Sequence, residues 1–256
     1  MKYEINEILL GVNYYYKGDW IKCYNFIKNK ERLEDTVIEE AKAKTKCKYV
    51  TIMDENYPKA LNSGFHPPFV LYYYGDLSLL KKRDRCLAII GALNLSNSAK
   101  RIEREVIEKS NDIIFVTNLN DGAGKECIRE CIKNNKKVVI VLNTGINYPV
   151  QFDFSETYYK VLNEGLIISE YPIDTFPPSE ELKKSNRIIS AVSKGVFFPE
   201  IDSCTPSAIL YDAACYNNGR LYAVPHDIYS EDTFSNKLIR NGATIVLEPR
   251  DILEDY

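Results

Sequence analysis

From residue 86 onward, short apolar runs alternate with longer stretches whose apolar positions recur at helical spacing. The runs CLAII at 86–90, IIFV at 113–116, VVIVL at 138–142, LIIS at 166–169, VFF at 196–198, LYAV at 221–224 and TIVL at 244–247 predict strands. Residues 97–110 and 124–134 predict two of the intervening helices. A strand that is apolar at every position, rather than at alternate ones, has both faces buried. That is the condition of a mostly parallel sheet with helices on either side. The predicted class is therefore α/β, a doubly wound, mostly parallel sheet. Ligands on such sheets sit beyond the carboxyl ends of the strands. The loops at 91–96, 117–124, 143–149, 169–178, 199–207 and 225–235 are thus the candidate binding edge.

The first 45 residues follow another pattern. Ile5, Ile8, Leu9 and Val12 recur at helical spacing, and residues 20–27 supply a second apolar face. Residues 31–48 then alternate acids and bases around Leu33, Val37 and Ile38, as a surface helix does. The organisation expected is a small N-terminal helical appendage over residues 1–48 and a single α/β domain over residues 49–256.

Composition narrows the possibilities. The 256 residues are 45% hydrophobic and 12% aromatic, enough for a sizeable core. No stretch approaches the roughly 18 uncharged apolar residues of a membrane span. Lys2, Glu4 and Glu7 stand where a signal peptide's apolar stretch would begin. A cytoplasmic protein without membrane association is expected. Seven cysteines without a CxxC pair indicate neither a zinc site nor a disulfide framework. Cys127 and Cys131, four apart on a predicted helix, read as small core-facing residues rather than metal ligands. The net charge of −3 provides no global basic field for nucleic acid. Local groups, Lys81, Lys82, Arg83 and Arg85 or Lys183, Lys184 and Arg187, remain candidate anion sites. Only two histidines, His66 and His226, are present, which weakens a histidine-centred catalytic scheme. The run DGAGK at 121–125 lacks the full spacing of a nucleoside-triphosphate loop, since Glu126 stands where Ser or Thr belongs.

An ordered series of motifs runs through the chain: YP at 57–58, PPFVLYYYG at 67–75, Gly91 after the first core strand with Ser96 five residues on, and YP at 148–149. SEYP follows at 169–172, then NRIISAVS at 186–193, Glu200 at a strand end, GRLYAVP at 219–225 and NKLIRNGA at 236–243. In this order and spacing the chain resembles the DprA/Smf family of DNA-processing proteins over roughly four fifths of its length. The resemblance implies a Rossmann-like core that binds single-stranded DNA through phosphate contacts, forms a homodimer and helps load a RecA-type recombinase. It implies no enzymatic activity and no cofactor. The winged-helix tail of some members is not expected, because the chain ends just after residues 251–253.

The departures from the family pattern fall on binding residues. The family's first loop reads Gly-Ser-Arg, whereas here it is Gly91, Ala92, Leu93, Asn94, Leu95, Ser96. Asp121 stands in place of a second arginine and Ser185 in place of a third, while Asn186 and Arg187 are retained. Pro206 and Ser207 replace a Ser-Gly pair, and His226 replaces a glycine. Each lost guanidinium removes a bidentate phosphate donor, so weakened binding is expected. The DNA- or phosphate-binding residues expected are Gly91, Asn94, Ser96, Gly122, Lys125, Asn186, Arg187, Asn236, Lys237 and Arg240.

Each candidate also has a structural role to weigh. Gly91 and Gly122 suit tight strand-to-helix turns, and Ser96 suits a helix cap. Arg187 suits an ion pair with Glu180 or Glu181, with Glu200 holding it in place, and Lys237 and Arg240 suit a solvated helix face. Tyr72–Tyr74, Tyr158–Tyr159 and Tyr229 are candidate base-stacking rings. Two other functions compete: a small-nucleotide-binding or nucleotide-hydrolysing protein of a related Rossmann type, and a dimeric paralogue that binds no ligand. The first lacks the PGGxGT-type loop of phosphoribohydrolases. The second draws on the lost arginines.

Overall fold

Strand runs that are apolar at every position divide their side chains between two cores. The structure, a computed structural model, describes residues 2–119, 122–146, 160–161, 164–176, 184–202, 214, 219–229 and 234–256. Among these, nine strands form one sheet. They are β1 (Lys48–Thr51), β2 (Val70–Gly75), β3 (Cys86–Ile89), β4 (Ile114–Thr117), β5 (Lys137–Val141), β6 (Leu166–Ser169), β7 (Gly195–Phe198), β8 (Arg220–Ala223) and β9 (Thr244–Ile245). Their order is β1-β2-β6-β5-β4-β3-β7-β8-β9. From β6 to β9 every pairing is parallel, and β1 and β2 add antiparallel strands at the β6 edge. The α/β class and the mostly parallel sheet are as the apolar runs predicted.

On β3, Leu87 and Ile89 face one cluster and Cys86 and Ala88 the other; Phe115 of β4 opposes Ile114 and Val116 in the same way. The first cluster is covered by α1 (Ile5–Tyr15), α3 (Asp35–Lys44), α5 (Asn97–Lys109) and α6 (Gly122–Lys133), through residues such as Leu10, Ala41, Val106 and Ile128. The second is covered by α4 (Lys59–Asn62), α7 (Asn186–Val192) and α8 (Phe234–Arg240), through Leu61, Ile188, Ile189 and Leu238. The sheet is therefore wound on both faces. Cys127 and Cys131 are fully buried in the first cluster, facing the core as their spacing suggested. Cys204 and Cys215 lie outside the described residues.

Two elements differ from expectation. The strands β1 and β2 escaped the sequence reading, although VLYYYG carries the β-branched and aromatic residues that favour a pleated surface. Predicted strand 244–247 shortens to Thr244–Ile245, both exposed, at the sheet's outer edge. The N-terminal helices α1, α2 (Trp20–Lys28) and α3 are present as expected. Leu9, Leu10 and Ala41 share one hydrophobic cluster with the sheet. Buried Asn13 ties α1 down, accepting from the Tyr72 hydroxyl at 2.9 Å and donating to the Glu170 carbonyl at 3.3 Å. Among the described residues no helix is long and apolar enough to cross a membrane.

Candidate functional site

Chain direction reverses its course across the sheet between β3 and β7: strands β4, β5 and β6 extend one way and β8 and β9 the other. Such a switch point opens a crevice between the loops that leave its two strands. Here those loops are 91–96 and 199–202.

Loop 91–96 is held rigidly. Ala92 and Leu95 pack with Ala99 and Ala123 in a small buried cluster, leaving Leu93 and Asn94 exposed at the rim. The Ala92 N–H donates to the Glu200 carbonyl at 2.8 Å, and the Ala123 N–H to the Ala92 carbonyl at 3.3 Å. Gly91 and Gly122 are needed for close approach rather than for left-handed turns, since neither has a positive φ. A Cβ on Gly91 would lie 2.4 Å from the Glu200 carbonyl oxygen, and one on Gly122 2.2 Å from that of Leu93. Ser96 caps α5, its hydroxyl accepting from the Ala99 N–H at 3.2 Å. The Glu200 carboxylate accepts from the Ser96 N–H at 2.6 Å, with His226 Nε2 3.9 Å from its other oxygen. A carboxylate of the chain itself thus lies at the start of α5.

Arg187 is engaged elsewhere. Its side chain is 10% exposed and forms a bidentate pair with Glu170, 4% exposed, at 2.6 and 2.5 Å. Its Nε donates to the His66 carbonyl at 2.9 Å and its Nη1 to the Lys184 carbonyl at 2.9 Å. Burial alone would pull the Arg187 pKa down, but the charge and hydrogen bonds of Glu170 outweigh it and hold it above its ordinary value. The expectation that Glu200 holds Arg187 is overturned: Glu170, at the carboxyl end of β6, does so. Glu180 and Glu181 lie outside the described residues. Neighbouring Asn186, the first residue of α7, is buried.

The remaining candidates are distributed over α6 and α8. Lys125 is half-buried on the first turns of α6. Asn236 closes its amide on the His226 backbone, accepting from its N–H and donating to its carbonyl, both at 3.0 Å, so its side chain shapes loop 224–229. Lys237 and Arg240 are exposed on α8, whose Leu238 faces the core. Of the tyrosines proposed for stacking, Tyr72 is fully buried, whereas Tyr229 is 90% exposed. Tyr158 and Tyr159 lie outside the described residues, as do Asp121, Lys183, Pro206 and Ser207.

Sequence reasoning missed a further group at this edge. Because β2 runs antiparallel to β6, with Tyr72 opposite Ser169, the loop entering β2 lies beside the carboxyl end of β6. That loop carries Phe65 and His66. His66 sits in the left-handed region at φ 49° and stacks on Trp20 of α2 at 3.9 Å. The Trp20 indole N–H donates to the Pro67 carbonyl at 2.8 Å. The signal lay in the aromatic content of residues 65–69, FHPPF, beside the motif PPFVLYYYG.

An open, doubly wound sheet with rigid loops meeting at a topological switch point defines a Rossmann-like ligand-binding fold. Residues 48–256 match the family of DNA recombination-mediator protein A, and the chain belongs to that family of DNA-processing proteins. It is 28% identical over 212 residues to DNA processing protein DprA of Streptococcus pneumoniae, spanning 80% of this chain and 73% of that protein. It is 27% identical over 213 residues to Protein Smf of a Synechocystis species, spanning 80% of this chain and 53% of that protein. The X-ray structure of the S. pneumoniae protein shares the fold with a TM-score of 0.79 at 23% identity, covering 95% of this chain and 98% of that one. DNA processing protein A of Helicobacter pylori, whose structure addresses its single-stranded DNA binding mode, has a TM-score of 0.70 at 22% identity, covering 82% of this chain and 96% of that one.

Proposed function

We propose that the protein binds single-stranded DNA along the carboxyl edge of its sheet, as a non-enzymatic mediator of recombination in the cytoplasm. The observation that carries this reading is the switch-point crevice, with loop 91–96 pinned beneath an exposed Leu93 and Asn94. Asn94, Ser96, Lys125, Lys237 and Arg240 are the groups proposed to meet the backbone, with Gly91 and Gly122 allowing the loops to close. Arg187 acts through its pair with Glu170 rather than on phosphate. The family's description as a recombination mediator supports a RecA-type recombinase as the partner that receives the strand. Exposed Ile245 and Leu247 beside the edge strand β9 support a homodimer.

The Glu200 carboxylate at the start of α5 favours a second reading, a dimeric paralogue that binds no DNA, because it places negative charge where a phosphate would approach. Fluorescence anisotropy with labelled oligo-dT, at low and at physiological salt, separates the two. Salt-sensitive binding is expected, and Leu93→Arg is expected to tighten it and steepen the salt dependence by about one counterion. No binding at low salt by either protein supports the second reading. Arg187→Ala is a poor control, since it strands a buried carboxylate.

A further inference from the structure

The two ends of the parallel strands differ in charge. The described loops that leave β3 to β8, at 90–96, 118–119, 142–146, 170–176, 199–202 and 224–229, hold Glu170, Asp174, Glu200, Asp202 and Asp227 and no Lys or Arg. At the opposite end, where the chain enters β3 to β7, stand Lys81, Lys82, Arg85, Lys136, Lys137 and Lys194, against Asp76, Asp84, Asp112 and Glu164. The segment from β2 to β3 belongs to this amino edge, because Gly75 at the end of β2 is opposite Leu166, the first residue of β6.

That segment is fixed to the fold. Leu79 and Leu80 are buried in the second cluster. Asp76 caps the 3-10 turn Leu77–Lys81 by accepting from the Ser78 N–H at 2.9 Å, and the Arg83 Nε donates to the Ala191 carbonyl at 3.1 Å. Lys81 and Lys82 project from this held backbone; both are exposed and neither forms an ion pair among the described residues. The Lys137 ammonium donates to the Glu164 carbonyl at 3.0 Å, that of Lys136 to the Ser110 carbonyl at 2.6 Å and that of Lys194 to the Asp255 carbonyl. A neutral carbonyl orients an ammonium without cancelling its charge. On the helices, by contrast, Lys42, Lys44 and Lys109 each pair with a glutamate, at 2.6, 2.6 and 3.0 Å.

The topology gathers these cations on one surface. Hydrogen bonds from Ser78, and then the charges of Lys82 and Lys137, hold the Asp76 carboxyl below its ordinary pKa, so two lysines remote in sequence flank one carboxylate. Lys137 is opposite Ile114, Ile114 is opposite Cys86, and the Lys194 N–H donates to the Cys86 carbonyl at 2.9 Å. Lys137 and Lys194 are thus three strand spacings apart along the edge, about 14 Å.

We propose that this amino edge is a second nucleic-acid contact, at which the backbone of a single strand crosses Lys81, Lys82 and Lys137. Attraction to phosphates needs cations that the protein has not already neutralised, spread along a surface, and it requires neither a shaped pocket nor base readout. A protein partner would need an apolar interface core, and none of the exposed large apolar side chains among the described residues lies in these segments. The inference takes its ligand from the single-stranded DNA reading above and assigns to it a contact at the end of the sheet away from the crevice.

The test compares the full chain with the triple variant Lys81→Gln, Lys82→Gln, Lys137→Gln, by fluorescence anisotropy with labelled oligo-dT over a range of salt. Binding weaker by about 10- to 100-fold at about 0.1 M salt is expected, with the slope of log affinity against log salt shallower by about 2, at about 0.7 per phosphate contact. The control Lys17→Gln, Lys28→Gln, Lys30→Gln removes the same charge from exposed positions around α2 and is expected to leave the slope near that of the unaltered protein. All six side chains are exposed, so unchanged urea midpoints are expected for both variants. If the edge variant binds as the unaltered protein does, or the control loses as much, the second contact is overturned and the DNA reading stands. If labelled poly-glutamate binds the unaltered protein as tightly as oligo-dT and loses as much in the edge variant, the edge serves an acidic protein and the proposal is likewise overturned. If the unaltered protein fails to bind oligo-dT even at low salt, both readings fall.

Discussion

Two carboxylates stand on the same sheet edge, and their surroundings differ. Glu170, beyond β6, is buried and neutralised by a bidentate guanidinium. Glu200, beyond β7, accepts a backbone N–H and faces a histidine nearly 4 Å away. The first belongs to a closed strut that joins β6, α7 and the loop entering β2. The second belongs to an open crevice whose neighbouring loop presents Leu93 and Asn94 to solvent. An arginine retained from the family pattern is therefore engaged inside the fold, while among the described residues of loops 91–96 and 199–202 there is no Lys or Arg. Counting arginines in the motif overstates the positive charge available to a phosphate.

Breaking the strut gives the largest expected effect. Glu170→Ala or Arg187→Met leaves one buried charge without its partner and is expected to destabilise the fold by about 3–5 kcal/mol, read from urea denaturation. Replacing both with apolar residues of similar size is expected to lose less than either single change. A double variant as damaged as the singles would show that the strut matters for packing rather than for charge.

The crevice is expected to respond less. Gly122→Ala places a Cβ against the Leu93 carbonyl and pushes loop 91–96 off α6, with an expected loss of about 1–3 kcal/mol. The same denaturation series measures it. A neutral result would mean that the loop moves freely, against the rigidity its buried alanines imply.

The smallest effect sharpens the boundary of the strut. Burial, and then the charge of Arg187, hold the His66 pKa below its ordinary value of 6.5. The unfolded chain then takes up this proton at a higher pH than the folded chain does. The contribution is complete above the ordinary value and is lost as pH falls below it. Denaturation midpoints of the unaltered protein and His66→Gln are expected to converge between about pH 7.5 and about pH 5. Parallel pH dependences would remove His66 from the strut's electrostatics.

Much of the fold was legible because parallel strands buried on both faces leave continuous apolar runs, such as KVVIV in β5. β1 was less so: KYVT is short, half-exposed and begins with a lysine. The crevice loops were legible from their position after strands, and Ser96 as a cap from its place before α5. The strut was not. Glu170 and Arg187 are 17 residues apart on different elements, and nothing in local spacing joins a carboxylate to a guanidinium across a fold. The stack of His66 on Trp20 was hidden for the same reason, since the two meet only when α2 docks on the loop entering β2.

Asn13 carries a consequence for how this chain is divided. The family model matches from residue 48 onward. Asn13 nonetheless grips both the Tyr72 hydroxyl and the Glu170 backbone, and Leu9 and Leu10 fill the same core as Phe115 and Ile140. The stretch matched by the family model and the stretch that shares one hydrophobic core thus have different starting points. The N-terminal helices buttress the sheet, and Asn13 joins them to Tyr72 of β2 and to Glu170 of the buried ion pair.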